Sequence, residues 1–379
     1  MNEWKSVRLG DVCEIQSGGT PSRSKTEYWK NGTIPWVKIG DFSGKYLNKT
    51  TEHITQKGLE NSSAKLFSKG TILYSIFATL GEATILNIDA TTNQAIAGIK
   101  IKDKSSIDID YLFAYLKSLK EEVNRIGRGV AQNNINLSIL KSFTVPLPPL
   151  ETQKQIAKQL NKCTTLLEKH KQMLEKYDTL IKSRFIEMFG DNKYPIISIS
   201  EMVEGKVPSA KKLFNKTDEI KYIDISSVDN KINEIVGYTE YIFEEAPSRA
   251  QQHIRKNDIL ISTVRPNLKN IAINRLDYKE MVASSGFCVL RPKCVPEYLF
   301  VAVLQDKFTS DMVAVTTGAN YPAIKDSDVL NYEISNPPLE LQQQFAAFVQ
   351  QIDKSKFVVQ KSLEKAETLY KSLMQEYFG

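Results

Sequence analysis

The sequence predicts an α+β fold: two similar domains of mixed short strands and helices, separated by two long helices that pair as an antiparallel coiled coil with pseudo-twofold symmetry. Three observations lead to this fold class. A ten-residue phrase occurs twice, short β-type runs and one helical pattern precede each occurrence, and a heptad pattern of apolar residues follows each occurrence.

The repeat divides the chain into two copies, residues 1–190 and 191–379. PPLETQKQIA at 148–157 returns as PPLELQQQFA, 189 residues later. LIKSRFIEMFG at 180–190 returns as LYKSLMQEYFG with the same offset, and GTILYSI at 70–76 resembles the later NDILIST. Self-similarity over this length predicts two copies of one structural plan.

The front part of each copy, residues 1–147 and residues 191–336, is predicted to be an α+β domain. Short β-type runs alternate with turn residues in both, such as TILYSI in the first copy and DILIST in the second. One helical pattern follows in each copy, at 109–123 and at 296–308. Both domains therefore have the same predicted order of elements.

Residues 148–190 and 337–379 are predicted to form the long spacer helices, each opened by a proline pair that fits a first helical turn. Their apolar positions repeat in steps of four and three, which is typical of a coiled-coil seam. The seam positions are Ile156, Leu160, Cys163, Leu167, His170, Leu174, Tyr177, Ile181, Phe345, Val349, Ile352, Lys356, Val359, Leu363, Ala366 and Tyr370. The alternative is that each helix only covers its own domain, a role that calls for a wider apolar face.

An antiparallel pair of these helices places the two domains at opposite ends, related by a pseudo-twofold axis. A helix of some forty residues is about 60 Å long, at about 1.5 Å per residue. The sequence thus predicts two similar heads at a fixed separation. Such an arrangement suits a polymer that repeats its shape, and duplex DNA does so every ~34–36 Å.

Composition limits the class of protein. With 41% hydrophobic and 25% charged residues, the chain has the composition of a globular protein. We find no run of ~18 apolar residues and no apolar signal core, so we expect a cytoplasmic protein without a membrane span. The net charge is +6, with 19 basic and 14 acidic side chains in residues 1–147 and 18 and 20 in residues 191–336. This mild excess permits nucleic-acid binding without arguing for it.

Searches for catalytic and metal-binding patterns give no candidate. The four cysteines and three histidines lack zinc-ligand spacing, and no GxxxxGK[ST], HExxH or GxSxG stretch occurs. Residues 336–339, NPPL, come within one residue of the N/D-P-P-aromatic motif of amino-methyltransferases, but Leu339 has no ring to stack on a flipped base. We therefore expect no catalytic residue, no metal site and no cofactor on this chain.

The whole chain resembles the specificity (S) subunits of type I restriction–modification enzymes. The resemblance rests on two domains alternating with two helices, on PPLExQ at each helix start, on helices that end in FG, and on LGDVCEIQSGGTPS in the first copy. A segment Gly-x-Ala/Asn-x-x-x-Ile before each proline pair also matches. The second copy departs from the pattern, with EGKVPSAK where the first copy has SGGTPSRS.

This resemblance implies a function and partners. Family members read a split double-stranded DNA site, one half with each target-recognition domain, and carry no catalysis themselves. They dock two adenine-methylating (M) subunits and, in the full complex, two restriction (R) subunits. S-adenosylmethionine, ATP and Mg are then expected on the partner subunits.

Candidate DNA-binding residues are Arg or Lys for guanine, Asn or Gln for adenine, and hydroxyl groups, where they cluster in loops. The loops are GGTPSRSK (18–25) and RIGRGVAQNN (125–134) in the first domain, and 211–212, 262–270 and 316–321 in the second. The candidates are Thr20, Ser22, Arg23, Lys25, Arg125, Arg128, Gln132, Asn133, Asn134, Lys211, Lys212, Arg265, Asn267, Lys269, Thr316, Thr317, Asn320 and Tyr321. Turns are built from the same residue types, so a purely structural role is the competing interpretation.

Two alternatives to a DNA-recognition subunit stay open from the residues alone. One is a stand-alone adenine DNA methyltransferase, and the other is a two-headed protein-binding scaffold that does not bind DNA. The acidic balance of the second domain also predicts that the isolated chain binds DNA weakly, because phosphate neutralisation supplies most non-specific affinity.

Overall fold

The structure is a computed structural model that describes residues 4–128, 134–190, 193–318 and 322–379. The chain forms two compact units. Unit 1 comprises residues 1–170 and 362–379, and unit 2 comprises residues 171–361. Each unit therefore combines one domain, the first half of the long helix that follows this domain, and the last part of the other long helix. The predicted division at residues 147, 190 and 336 stays a prediction.

Unit 1 is built from short strands and helices. Its strands are β1 (Ser6–Arg8), β2 (Cys13–Ser17), β3 (Ile34–Val37), β4 (Tyr46–Leu47), β5 (Glu52–Ile54), β6 (Ile72–Ser75), β7 (Ala83–Leu86), β8 (Thr91–Thr92), β9 (Ile96–Ile101) and β10 (Thr144–Pro146). Its helices are α1 (Leu9–Val12), α2 (Gln56–Glu60), α3 (Ile109–Ser118), α4 (Lys120–Arg128), α5 (Leu137–Ser142) and the first half of α6 (Leu150–Phe189).

The main sheet of unit 1 has the strand order β2-β9-β6-β7-β4, in which β4 runs parallel to β7 and the other neighbours are antiparallel. A second sheet has the order β5-β3-β8, and β1 pairs with β10. The largest core joins the main sheet to α3 and to the start of α6, through residues such as Ile72, Ile99, Leu112 and Ile156.

Unit 2 repeats this plan. Its strands are β11 (Ile196–Ser198), β12 (Glu219–Ile223), β13 (Val228–Asp229), β14 (Glu234–Ile235), β15 (Thr239–Ile242), β16 (Ala250–His253), β17 (Ile259–Ser262), β18 (Ile271–Ile273), β19 (Met281–Ser284), β20 (Phe287–Leu290) and β21 (Glu333–Ser335). Its helices are the second half of α6, α7 (Ile199–Met202), α8 (Pro296–Val303), α9 (Asp306–Ala314), α10 (Asp326–Leu330) and part of α11 (Leu339–Phe378).

The sheets of unit 2 have the orders β15-β12-β19-β16 and β18-β17-β20, with β11 paired to β21 and β13 to β14. In each unit the strand that begins the domain pairs with the strand that precedes the proline pair, as Val7 with Val145 and Ile197 with Ile334. This pairing brings the start of each domain next to the start of its long helix.

The single helices predicted at 109–123 and 296–308 are wrong in extent. Each is two shorter helices, α3 with α4 and α8 with α9, and the second break contains Gln305 in an extended conformation (φ −63°, ψ 144°). The change of direction lets the second helix of each pair bury its own apolar side chains, Val123 in unit 1 and Phe308 with Met312 in unit 2. Tertiary packing therefore overrides a continuous helical pattern.

The repeated phrase PPLExQ forms the same buried clamp in both copies. Gln153 is fully buried; its Oε1 accepts from Asp108 N–H (2.9 Å), and its Nε2 donates to the carbonyl oxygens of Ser106 and Pro148 (3.0 and 2.9 Å). Gln342 accepts from the N–H of Val295 (3.2 Å) and donates to the carbonyl oxygen of the preceding proline pair (2.9 Å). A glutamine is needed here because one side chain must both accept and donate.

The long helices run antiparallel, as predicted. In unit 1, the end of α11 lies beside the start of α6, where Tyr377 Oη donates to Gln159 Oε1 (2.5 Å). In unit 2, Lys356 of α11 pairs with Asp178 of α6 (2.7 Å), and the earlier Phe345 packs against Phe189 at the end of α6 (5.5 Å between ring centres). Later positions of one helix thus contact earlier positions of the other.

The predicted seam residues lie on the covered face of each helix. The buried ones are Ile156, Leu160, Cys163, Ile181, Phe345, Val349, Ile352, Val359, Leu363 and Ala366. The partly buried ones are Leu167, His170, Leu174, Tyr177, Lys356 and Tyr370. Of the helices in the described ranges, none is long and apolar enough to cross a membrane.

Candidate nucleic-acid interface

Close backbone contacts fix the start of the glycine-rich loop 18–25, which follows β2. A Cβ atom on Gly18 would lie 2.0 Å from Thr92 Oγ1, and one on Gly19 would lie 2.3 Å from Ser63 Oγ. The Gly19 N–H donates to the carbonyl oxygen of Thr92 (2.9 Å). Only glycine leaves room for the backbone at these two positions.

Two tryptophan rings hold the rest of this loop. Trp36 Nε1–H donates to the carbonyl oxygen of Gly19 and Trp29 Nε1–H to that of Ser22, both at 3.1 Å. The two rings meet edge to face, with centres 5.0 Å apart. The guanidinium of Arg23 lies 3.6 Å from the centre of the Trp29 ring and 4.8 Å from that of Trp36, which is cation–π geometry.

Glu52 neutralises the same guanidinium. Arg23 Nη1 lies 2.6 Å from Glu52 Oε2, and Lys38 Nζ lies 2.5 Å from Glu52 Oε1. The hydrogen bond from Lys38, followed by that from Arg23, lowers the pKa of Glu52 below its usual 4.5. Arg23 was predicted as a DNA contact, and its charge is already engaged within the domain.

The other candidates in this loop also have partners inside the domain. Thr20 Oγ1 donates to Gln94 Oε1 (2.5 Å), and the exposed Ser22 hydroxyl shares a hydrogen bond with the serine two residues later (2.8 Å). Lys25 Nζ donates to Tyr28 Oη (3.0 Å), and this hydrogen bond is the main cause of the raised pKa of Lys25. The loop is therefore ordered by its own contacts and needs no ligand to shape it.

The second cluster of the first domain lies at the end of α4 and beyond. Arg125 is exposed on α4, and Arg128 is the last residue of this helix. Asn134 forms an antiparallel bridge with Phe77, and the next residue, Ile135, donates from its N–H to the carbonyl oxygen of Ile76 (3.0 Å). Two predicted residues lie outside the described ranges, Gln132 and Asn133.

In the second domain, two predicted clusters come together. Val264 forms an antiparallel bridge with Ala323, and the N–H of Ile324 donates to the carbonyl oxygen of Thr263 (2.9 Å). Arg265 donates from its backbone N–H to Pro322 (2.8 Å). The predicted loop 262–270 therefore lies directly against the segment that follows α9, which contains Thr316 and Thr317. Two further predicted residues there lie outside the described ranges, Asn320 and Tyr321.

The remaining candidates of the second domain are on its surface. Asn267 is exposed, whereas Lys269 is partly buried and its Nζ lies 2.5 Å from Asp306 Oδ1, a hydrogen bond that lowers the pKa of Asp306. Lys211 and Lys212 are exposed in a short 3-10 turn. Among the residues described, no hydrogen bond or ion pair joins the side chains of these two lysines to the cluster around Val264.

The sequence reasoning missed Phe77. This ring is 38% exposed, while Ile76 before it and Leu80 after it are buried. The residue ends the apolar run TILYSIF, which reads as a buried strand, but β6 ends at Ser75 and the ring projects from the turn that follows. Its bridge to Asn134 corresponds to the bridge between Val264 and Ala323 in the other domain.

Comparison with known families identifies this architecture. The family model of the type I restriction modification DNA specificity domain matches residues 1–176 and again residues 192–367. The chain belongs to the type I specificity subunits. The two matches coincide with the two copies of the internal repeat.

Relatives and solved structures agree with this assignment. The MjaIX specificity subunit of Methanocaldococcus jannaschii is 25% identical over 92% of this chain and 86% of the relative. The type I S subunit of M. genitalium superposes with a TM-score of 0.59, at 15% identity, over 100% of this chain and 97% of the other. A chain from work on complex assembly and conformational transition of the type I R-M system gives a TM-score of 0.56, at 17% identity, over 100% and 98%.

A type I specificity subunit provides DNA recognition to a restriction–modification complex and lacks catalytic activity itself. The stand-alone methyltransferase interpretation is therefore wrong. Asn336 donates from its backbone N–H to the carbonyl oxygen of Pro195 (2.8 Å), and Leu339 is the first residue of α11, 55% exposed. The NPPL stretch is thus the end of a strand pair and the start of a helix.

Proposed function

We propose that this specificity subunit reads a split site in double-stranded DNA, one half with each domain, and that α6 and α11 set the distance between the halves. One observation carries the proposal: in both domains the turn after an equivalent strand is joined to an equivalent later segment by a bridge and a neighbouring backbone hydrogen bond. These contacts are Phe77–Asn134 with Ile76–Ile135 in the first domain and Val264–Ala323 with Thr263–Ile324 in the second. The side chains on these turns differ. Two equivalent frames with different side chains suit two readers with different sequence preferences.

The helices also dock partners in this proposal, namely two M subunits and, in the full complex, two R subunits. S-adenosylmethionine, ATP and Mg belong to these partners, and the complex works in the cytoplasm. An exposed apolar stripe on the unit 2 half of α6 supports docking: Met173 and Leu180 are seven residues apart and are 41% and 45% exposed. An apolar stripe outside the seam of a helix pair favours a further protein partner.

Methylation mapping tests this proposal. Adenine methylation is mapped genome-wide in cells with the M subunits, with and without this chain, and we expect a bipartite motif that requires the chain. Exchanging residues 1–147 with residues 191–336 should reverse the order of the two half-sites, because each domain carries its own preference. An exchange that leaves the methylated motif unchanged would contradict modular reading.

A salt titration tests how affinity is divided between the chain and its partners. The second domain carries 18 basic and 20 acidic side chains, so it neutralises few phosphates on balance. We expect the isolated chain to bind its target weakly at physiological salt and the complex with M subunits to bind it tightly. Nanomolar binding by the isolated chain at that salt concentration would refute this division.

A further inference from the structure

The turn after β6 and the turn after β17 each begin at a serine in the equivalent position, the last residue of the strand. Ser75 Oγ donates to the carbonyl oxygen of Thr79 within its turn, and Ser262 Oγ donates to that of Val264 (2.9 Å). Both serines are buried. Together with the bridges to Asn134 and Ala323, these bonds hold each turn from both sides.

Both turns contain a residue with a side chain in the left-handed region of the backbone. Ala78 has φ 60° and Arg265 has φ 51°, and each directly follows the residue that forms the bridge. Residues other than glycine keep this conformation only where the surrounding contacts impose it, and such positions concentrate at functional sites. The two domains therefore share a constrained residue directly after the bridge, although the sequences of the turns and the acceptors of the serine hydroxyls differ.

The side chains displayed by this frame are chemically different. In the first domain the turn exposes the ring of Phe77 between buried Ile76 and Leu80. In the second domain the turn exposes Arg265 and Asn267, on either side of a buried proline. One frame thus displays an apolar surface and the other displays hydrogen-bond donors.

We propose that these matched turns are the base-reading elements of the two domains, and that Phe77 is a specificity-determining residue for the half-site of the first domain. The inference rests on the split-site function proposed above. The Phe77 ring makes an apolar contact with a base, as phenylalanine does with the thymine methyl group. In the second domain Arg265 and Asn267 donate hydrogen bonds to base edges, for which guanine and adenine are the matching partners.

The test uses the full chain assembled with its M subunits and duplexes that carry the target found by methylation mapping. Each base pair of each half-site is replaced in turn, and the methylation rate is measured for wild type, F77A, F77Y and R265A. We expect F77A to lower the rate on the intact target about 10- to 100-fold and to remove discrimination at one position of the first half-site. F77Y keeps the ring and should restore most of that discrimination, whereas R265A should relax a position of the second half-site only.

Leu66→Ala provides the matched control, because Leu66 is an exposed apolar residue of the same domain (53% exposed) that lies outside the turn. A purely structural role for Phe77 would lower the rate on every duplex by the same factor and leave discrimination intact, which overturns the inference. If the wild-type complex is sequence-selective and the F77A complex keeps the same discrimination, the role proposed for Phe77 is overturned and the split-site function is not. A wild-type complex without sequence selectivity overturns the split-site function together with it.

Discussion

In the first domain, Arg23 lies against two indole rings and pairs with the partly buried Glu52, whereas in the second domain Arg291 pairs with Asp258 beside β17 and β20. Both members of the second pair are almost fully buried, with side chains 8% and 2% exposed. The corresponding positions of the first domain, just before β6 and within its partner strand β9, are occupied by Thr71 and Lys100, which cannot form an ion pair. Each domain thus has an ion pair of its own, at a different place in the fold.

The helix starts show the opposite pattern. Gln153 and Gln342 make equivalent contacts with the residue just before α3 or α8, Asp108 or Val295, and with the proline pair. The clamp between domain and helix is thus the same in both copies, while the interior and the loops of the two domains differ. This division suits the proposed split-site function, in which the two readers differ while their attachment to the helices is the same.

The largest effect is expected at the buried ion pair of the second domain. Asp258→Ala leaves Arg291 buried without its carboxylate, and the free energy of unfolding of unit 2 should fall by about 3–5 kcal/mol. Thermal unfolding with hydrogen exchange resolved by segment measures this loss. Asp277→Ala is the matched control, since the Lys256–Asp277 pair is exposed and should contribute at most about 1 kcal/mol. Equal losses of stability from the two substitutions would contradict the difference expected between the buried and the exposed ion pair.

The helix-start clamp should come next. Gln153→Ala and Gln342→Ala each leave buried backbone groups without a hydrogen-bond partner. Each substitution should therefore lower the free energy of unfolding of its own unit by about 1–3 kcal/mol. Gln153 should cost more, because it makes one more hydrogen bond than Gln342. Gln155→Ala, at an exposed position of the same helix, should be close to neutral. A loss at only one of the two clamps would break the equivalence of the copies.

Removal of the Arg23 side chain should have a smaller effect. Arg23→Ala removes a cation–π contact and an exposed ion pair, which together contribute about 1 kcal/mol. Tryptophan fluorescence in a Trp4→Phe background should change, and the amides of residues 18–25 should exchange faster. Arg23→Lys should retain part of the order. Unchanged fluorescence would mean that the stacked geometry does not organise this loop.

Acidification should give the smallest effect. The pKa of Glu52 is lowered by Lys38 and then by Arg23, so its contribution is present above pH 4.5 and is lost as the pH falls through the lower folded pKa. The protection of the loop 18–25 amides, measured relative to their intrinsic exchange rates at each pH, should therefore fall at acid pH. Glu52→Gln should flatten this dependence without changing that of the second domain. A loop that loosens as the pH rises would contradict the sign.

The long helices could be predicted closely because two strong local signals coincide. The proline pairs mark their starts, and the seam pattern runs through forty residues, so Leu150–Phe189 and Leu339–Phe378 differ from the prediction only at the ends. The split of each domain helix could not be predicted, since the burial of Val123 and Phe308 depends on neighbours that are distant in sequence.

The candidate site was predictable in composition but not in contacts. Glycine, serine and threonine mark loop 18–25, yet nothing local indicates that Arg23 lies on Trp29 or that Glu52 neutralises it. Phe77 was missed for a related reason. An aromatic residue after an apolar run favours a buried strand, and only the bridge to Asn134 shows that the chain has already turned.

Unit 1 is formed by two separate stretches of the chain, residues 1–170 and 362–379, so it cannot be completed until the end of translation. Its apolar core is joined by Tyr370, Leu373 and Phe378, yet these residues follow a further 191 residues, 171–361, that belong to unit 2. At ~5–20 residues per second, the ribosome needs roughly 10–40 s to translate that stretch. During this interval the apolar surface that these residues cover in the folded protein lacks its cover, so a chaperone that shields this surface should raise the yield of the folded protein.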